Sequence, residues 1–216
     1  MNKLVFSMAL LLAALGLPAS GPVAAASVLE EPVPVFVSIL PQKYFVERVG
    51  GGRVAVQVLV RPGENPETFE PNQRQMAALS RARIYFLAGV PFERVWAGRV
   101  LKAHPGLNVV RMHRSIDPEA GRENPHLWLN PNWVRKMAAV IRDVLIVADP
   151  AGLEDYTAGH DRFVRDLMAL DREIRESLAP VSSRHFMVYH PAWLHFARCY
   201  DLDEIPIEFE GKAPGP

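Results

Sequence analysis

Short β-rich segments alternate with helical segments along the first half of the chain, and this alternation limits the folds that it can adopt. The strand-like segments are Val35–Leu40, Val54–Val60, Ile84–Ala88 and Leu107–Arg111. Between them the sequence predicts helices at Gln42–Val49, through Met76 and Leu79, and at Phe92–Lys102. Such alternation predicts a parallel sheet in an α/β fold, with ligand sites at the carboxyl ends of the strands.

Two further helices are predicted in the middle of the chain. Asn130 is a favourable N-cap and Pro131 a favourable first helical residue, so a helix should run from there to about Val147. From Asp149 to Pro180, apolar residues recur at spacings of three and four, which predicts one longer helix. About 28 residues at 1.5 Å each make a rod of roughly 42 Å, long enough to join two lobes.

The last part of the chain predicts a small second α/β unit. Arg184–Tyr189 and Glu204–Phe209 are strand-like, and Ala192–Tyr200 between them is helical. One strand–helix–strand unit is too small to form a stable lobe by itself, so we expect the second lobe to be truncated. The predicted organisation is an N-terminal α/β lobe at 27–148, a linker helix at 149–180 and the start of a C-terminal α/β lobe at 181–216.

The N-terminus has the layout of a cleavable secretory signal peptide, predicted at 1–26. Lys3 precedes an apolar run from Leu4 to Leu17, and small residues at 24–26 precede Ser27. The apolar run has 14 residues, whereas a membrane span needs roughly 20. We therefore expect a mature protein that is periplasmic and not embedded in a membrane. We further expect it to be a monomer.

Charge and cysteine content exclude several classes of function. The chain has 24 Lys+Arg and 24 Asp+Glu, and this balance argues against a nucleic-acid-binding protein. Its single cysteine, Cys199, cannot form an internal disulfide and excludes Cys-based zinc sites. The motifs GxSxG, GxxxxGK[ST], GxGxxG and HExxH are all absent, so common hydrolase and nucleotide-binding sites are not indicated.

Three loops each place a potential metal ligand beside a proline. They are NPETFEP with Glu67, NPHLWLNP with His126 and VYHPAW with His190. Imidazole nitrogen and carboxylate oxygen are ligands for zinc, and carboxylates also suit manganese. The three residues are 59 and 64 positions apart, so their spacing alone does not show that they meet.

These motifs, in their order along the chain, resemble the zinc/manganese solute-binding proteins of bacterial ABC importers. The likeness also includes VSILPQKYFVERVGG near the start and IPIEFEGK near the end, and so covers nearly the whole predicted mature chain. The resemblance implies two α/β lobes bridged by one long helix. It further implies a divalent metal ion held between the lobes, no enzymatic activity, and delivery of the ion to a membrane permease.

The resemblance also implies a set of ligands. His126 matches the histidine of the family's D-P-H-x-W-L motif, with Asn124 where Asp is common, and His190 matches the histidine at the strand end of the second lobe. Glu67 stands where most zinc-binding members have a histidine, so Glu64, Glu70 or water are alternatives to it as ligands. The family's last ligand, an acidic residue, is expected beyond position 216.

Other polar residues are expected to have ordinary roles. The segment Ser115–Asn124 is predicted to be a polar loop without the histidine-rich insertion of many zinc-binding members. His185 should face away from the site, and His195 lies one turn into the following helix. Three more histidines are expected in solvent: His104, His113 and His160.

Zinc is the cargo that the sequence favours, because two of the three candidate ligands are imidazoles. Three alternatives are a manganese receptor, a degenerate or truncated relative with weak metal binding, and a metal-dependent hydrolase with an open position for water. The hydrolase is the least favoured of these, since the sequence offers no clear general base.

Overall fold

Four parallel strands form the main sheet, and two parallel strands form a second one. The structure is a computed structural model that describes residues 31–116 and 119–208, all within one compact unit, Glu31–Pro216. The predicted signal peptide at 1–26 and the end of the second lobe, at 209–216, lie outside the described residues. The strand order is β2-β1-β3-β4 in the main sheet and β5-β6 in the second sheet.

The described elements follow the predicted alternation of strands and helices. The strands are β1 Val33–Val37, β2 Val54–Val58, β3 Ile84–Leu87, β4 Asn108–Arg111, β5 His185–Val188 and β6 Asp203–Pro206. The helices are α1 Leu40–Gly50, α2 Gln73–Leu79, α3 Pro91–Ala103, α4 Met112–Ile116, α5 Ala120–Glu123, α6 Pro131–Ala148, α7 Leu153–Leu178 and α8 Leu194–Cys199. The predicted parallel α/β fold with one long helix is confirmed.

Both faces of the main sheet are buried, because helices cover each of them. Successive side chains of a strand point to opposite faces. In β3, Ile84 and Phe86 pack in a cluster with α1, α6 and α7, whereas Tyr85 and Leu87 pack in a second cluster with α2 and α3. This packing explains why the strands read as continuous apolar runs in the sequence.

The N-terminus of α6 forms as predicted. The Oδ1 atom of Asn130 accepts a hydrogen bond from the backbone N of Asn132 at 3.0 Å, and Pro131 is the first helical residue. The helix then ends at Ala148, one residue beyond the predicted end. Because α6 begins directly after the turn that carries His126, the cap also fixes the position of that turn.

The long helix α7 contacts elements from both parts of the described chain. It has 26 residues and is about 39 Å long. Near its middle, Phe163 packs against Phe45 of α1 with ring centroids 5.7 Å apart. Further along, Asp171 accepts a hydrogen bond at 2.9 Å from the hydroxyl of Tyr200, which follows α8. The predicted division into lobes at residues 148 and 180 remains a prediction.

One prediction about the segment between β4 and α6 is wrong. The segment 115–124 is not simply a polar loop, since α4 extends to Ile116 and α5 occupies Ala120–Glu123. The sequence reading relied on polar composition, whereas local contacts stabilise a helical turn. Arg122 donates to the carboxylate of Glu119 at 2.8 Å, three positions away, and Gly121 is buried against His113 and Leu127.

Within the described residues, no helix combines the length and the apolar character that a membrane crossing requires.

The contact between α1 and α7 depends on a glycine. A Cβ atom at Gly159 would lie 2.9 Å from the backbone carbon of Val49 and would overlap its carbonyl oxygen. Such an overlap cannot be relieved by rotating a side chain, because backbone atoms form the wall. Gly98 of α3 is a matched helical glycine, with nothing within 4 Å of its Cβ position.

We expect Gly159→Ala to destabilise the fold by about 1–3 kcal/mol, because the cost of overpacking exceeds the gain in helix propensity. Gly98→Ala should instead stabilise it by up to about 1 kcal/mol. Urea unfolding of both variants and the parent measures the free energies of unfolding. A Gly159→Ala variant as stable as the parent would contradict the close approach of the two helices.

Candidate metal centre

A cavity of about 410 Å³ lies at the carboxyl ends of strands from both sheets. Glu67 reaches it from the loop after β2, and Val90 lies in the short loop between β3 and α3. His190 follows β5, Glu208 follows β6, and His126 enters from the turn before α6. The three predicted ligands therefore line one cavity, although they are far apart in the sequence.

Asn124 fixes the orientation of His126. The side-chain Nδ2 of Asn124 donates to the carbonyl oxygen of Pro191 at 2.7 Å, so its Oδ1 faces His126. This oxygen accepts from the backbone N of His126 at 2.9 Å and lies 2.7 Å from the ring Nδ1. Because an amide oxygen can only accept, Nδ1 carries the ring hydrogen and Nε2 keeps a free lone pair.

Two carboxylates flank His190. The Oε1 atom of Glu208 lies 3.1 Å from Nδ1, and the Oε1 atom of Glu67 lies 3.7 Å from Nε2. The Glu208 side chain is 10% exposed and the Glu67 side chain 43% exposed. We assign the ring hydrogen to Nδ1, which donates to buried Glu208, so Nε2 presents its lone pair towards Glu67.

The separation of Nε2 and the Glu67 carboxylate suits a shared cation. Two electron-pair donors that face each other repel, and a positive charge between them removes that repulsion. Two ligands of a tetrahedral ion at roughly 2.0–2.2 Å from the metal are about 3.3–3.6 Å apart. The observed 3.7 Å between His190 and Glu67 is close to this range.

The two imidazoles lie side by side in the cavity. The ring centroids of His126 and His190 are 5.2 Å apart, and Trp128 packs against His126 at 5.0 Å. Burial, together with the nearby rings of His190 and His195, lowers the pKa of His126 to about 4, and burial makes the largest contribution. His126 is therefore neutral at physiological pH, which is the form that binds a metal ion.

The side chains as they stand do not yet form a complete metal site. Among residues 31–116 and 119–208, no group of three or more His, Cys, Asp or Glu side chains is placed so that it could hold a metal ion. Glu67 is the most exposed of the three candidate ligands. Its carboxylate can therefore rotate towards the histidines without displacing packed atoms.

The structure distinguishes between the alternative ligands that the sequence leaves open. The cavity lining includes Glu67 but, among the described residues, neither Glu64 nor Glu70. Glu64 instead accepts a hydrogen bond from the backbone N of Arg61 at 2.7 Å. His195 is buried outside the cavity, and its Nε2 donates to the carbonyl oxygen of Asn124 at 2.8 Å.

Two expectations for the remaining histidines are wrong. The Nδ1 atom of His113 is buried, and the His160 side chain is only 13% exposed, with its Nδ1 2.9 Å from Asp161. His185 lies outside the cavity as predicted, 3.1 Å from Asp203 on an exposed part of β5.

The sequence reading missed Glu208. It lies two residues after the end of β6, at the carboxyl end of that strand, where the rule for parallel sheets places ligand sites. The predicted strand Glu204–Phe209 extends past Glu208, whereas β6 ends at Pro206, so the sequence does not indicate a loop residue at this position. The buried carboxylate orients His190, and such an outer-shell partner is a regular part of metal sites.

We expect the His126 ring to be neutral and protonated on Nδ1 at about pH 5.5, because burial disfavours the imidazolium ion and Asn124 accepts the Nδ1 hydrogen. Long-range ¹H–¹⁵N correlation spectra of the ring nitrogens measure both the charge and the tautomer.

Asn124→Ala should shift the tautomer towards Nε2–H, because it removes the acceptor, whereas His185 provides an exposed internal reference in the same spectra. Protonation of His126 with a midpoint near its ordinary pKa of about 6.5 would contradict the burial of the ring.

Comparison with known proteins places these features in one family. The family model described as zinc-uptake complex component A, periplasmic (ZnuA) matches residues 35–216. A crystal structure of ZnuA is 38% identical, with a TM-score of 0.80, and the match covers 86% of this chain and 74% of that one. A zinc-bound deletion mutant of ZnuA is also 38% identical, with a TM-score of 0.78, covering 85% of this chain and 73% of the other.

The names of the curated relatives refer to different metals. The manganese-binding lipoprotein MntA of Halalkalibacterium halodurans is 30% identical over 168 residues, which are 75% of this chain and 56% of that protein. The zinc-binding lipoprotein AdcA of Streptococcus pneumoniae is 23% identical, and the match covers 80% of this chain and 38% of that protein. Neither name is that of an enzyme, and the chain spans only part of the length of both relatives.

Proposed function

The chain belongs to the ZnuA family of periplasmic zinc-uptake complex components, and on that premise we propose that it captures a divalent transition-metal ion, most readily zinc. The ion would bind in the cavity lined by Glu67, His126 and His190. The loaded protein would then deliver it to the membrane permease of an ABC importer. Export from the cytoplasm, as the N-terminal sequence predicts, is part of the same proposal.

One observation carries this proposal: two histidines from distant loops lie together with each Nδ1 held by an acceptor. Asn124 holds His126, and Glu208 holds His190. Each ring can then present its Nε2 to the cavity, with the Glu67 carboxylate beside His190. Fixing the tautomer and the ring orientation in this way is what outer-shell partners do for metal-binding histidines.

A manganese cargo is the second candidate. The observation that favours it is the carboxylate at Glu67, because oxygen ligands suit manganese better than imidazoles do. The manganese-binding name of the relative from Halalkalibacterium halodurans points the same way. Two imidazoles beside one carboxylate still favour zinc.

We expect the chain to bind zinc in a calorimetric titration, and His126→Ala or His190→Ala to weaken the binding at least about 100-fold. Loss of a direct ligand should cost more than the roughly 10–100-fold that loss of an outer-shell partner costs. His185→Ala is the matched control, since this exposed histidine is at the opposite end of β5 and outside the cavity. Equal affinity in all four proteins, or no zinc binding by the parent, would refute the proposed site.

The choice of metal can be tested by exchanging the carboxylate. We expect Glu67→His to raise the preference for zinc over manganese by about tenfold or more, because an imidazole replaces an oxygen ligand. Competition titrations of the two metals measure this ratio, and Glu70→His is the control for adding a histidine to the same loop. An unchanged ratio would mean that Glu67 does not touch the ion.

A further inference from the structure

A second cavity also borders the loop between β3 and α3. Its volume is about 1020 Å³, and it shares Val90 with the cavity of the candidate metal centre. Four arginines line it, from α3, from the end of β4, from α4 and from α5; they are Arg94, Arg111, Arg114 and Arg122. We call this space the arginine cavity.

Most of the positive charge of the arginine cavity is not balanced by ion pairs among the described residues. Among the described residues, no carboxylate forms an ion pair with Arg94, Arg111 or Arg114. Arg122 alone is paired, with the exposed side chain of Glu119. The whole chain has equal numbers of acidic and basic residues, so this concentration of one sign is not a consequence of its composition.

The one carboxylate in the described lining is already occupied. Both oxygens of buried Glu93 accept backbone hydrogen bonds at 2.7 Å, from Ala88 and from Gly89. Burial also raises the pKa of Glu93 to about 7, so it carries only part of a negative charge near neutral pH. Arg111 partly offsets this rise in pKa, so Glu93 balances at most a part of the arginine charge while it holds the loop between β3 and α3.

A half-buried histidine, His113, completes the wall. The Nδ1 atom of His113 is inaccessible and has no hydrogen-bond partner in the described part of the chain. Gly89, with a φ of +99°, lets the loop approach this ring, since a Cβ atom there would lie 3.1 Å from Nδ1. Burial and the charges of Arg114 and Arg111 lower the pKa of His113, as expected for a ring among unpaired cations.

We propose that the arginine cavity binds a small oxyanion of charge two or more, a phosphate or a polycarboxylate. Planar guanidinium groups donate paired hydrogen bonds to the oxygens of both kinds of anion. Arg94, Arg111 and Arg114 supply unpaired donors around one space, and an anion between them offsets their mutual repulsion. This site is separate from the proposed metal-binding function and does not depend on it.

Calorimetric titration of the metal-free chain with phosphate and with citrate, at constant ionic strength, tests the site. At least one of the two anions should bind with a Kd below about 1 mM, and acetate, with a single charge, should bind much more weakly. Binding of phosphate alone or of citrate alone identifies which kind of oxyanion the cavity takes. No binding of either anion up to about 10 mM would overturn the proposal.

Two double variants distinguish specific binding of the anion in the arginine cavity from its general attraction to positive charge. Arg111→Gln/Arg114→Gln should weaken binding about tenfold or more, whereas Arg74→Gln/Arg81→Gln removes the same charge from exposed positions outside the cavity and should leave it unchanged. Equal weakening in both double variants would overturn the proposal, since it would show screening only.

A single variant, Arg94→Gln, gives an independent test should the cavity double variant fold poorly, because Arg94 is an exposed residue of α3. It should also weaken binding. In the parent, the ring ¹⁵N signals of His113 should shift on addition of the anion that binds. Unchanged His113 signals at saturation would place the anion elsewhere and overturn the assignment.

Discussion

The candidate metal centre depends on the hydrogen bonds of one amide, the buried side chain of Asn124. It accepts from His126 and donates to the carbonyl oxygen of Pro191, next to His190, and so joins loops that are 67 residues apart. Its own backbone oxygen also accepts from His195 of α8. An ionised aspartate would have no hydrogen to donate to Pro191, so the link between the two loops requires the amide of Asn124.

The two histidines are held by hydrogen-bond acceptors of different charge. His190 is held by the carboxylate of Glu208, whereas His126 is held by a neutral amide. A charged acceptor makes the remaining ring nitrogen a stronger electron donor than a neutral one does. The two imidazoles are therefore chemically unequal, since the ring of His126 is weakly basic and has a neutral partner, whereas the ring of His190 has a carboxylate partner.

Much of the fold could be predicted from local sequence, because local rules determine it. The cap at Asn130, the apolar runs of β1 and β3 and the apolar stripe of α7 all depend on residues close together in the chain. Contacts between distant segments could not be predicted from local sequence. The pairing of Glu208 with His190 and the burial of His113 arise only when separate loops and helices pack together.

The oxygen atoms around the cavity bear on which ion the proposed site would prefer. Manganese usually takes six ligands, mostly oxygens, whereas zinc takes four. Of the described side chains that line the cavity, Asn65, Tyr189 and Glu208 could add oxygens to the three candidate ligands. Asn65 already accepts from the backbone of Glu67, and Glu208 from His190. Three protein ligands and one water satisfy zinc without breaking either bond, whereas manganese would need more of its shell from water.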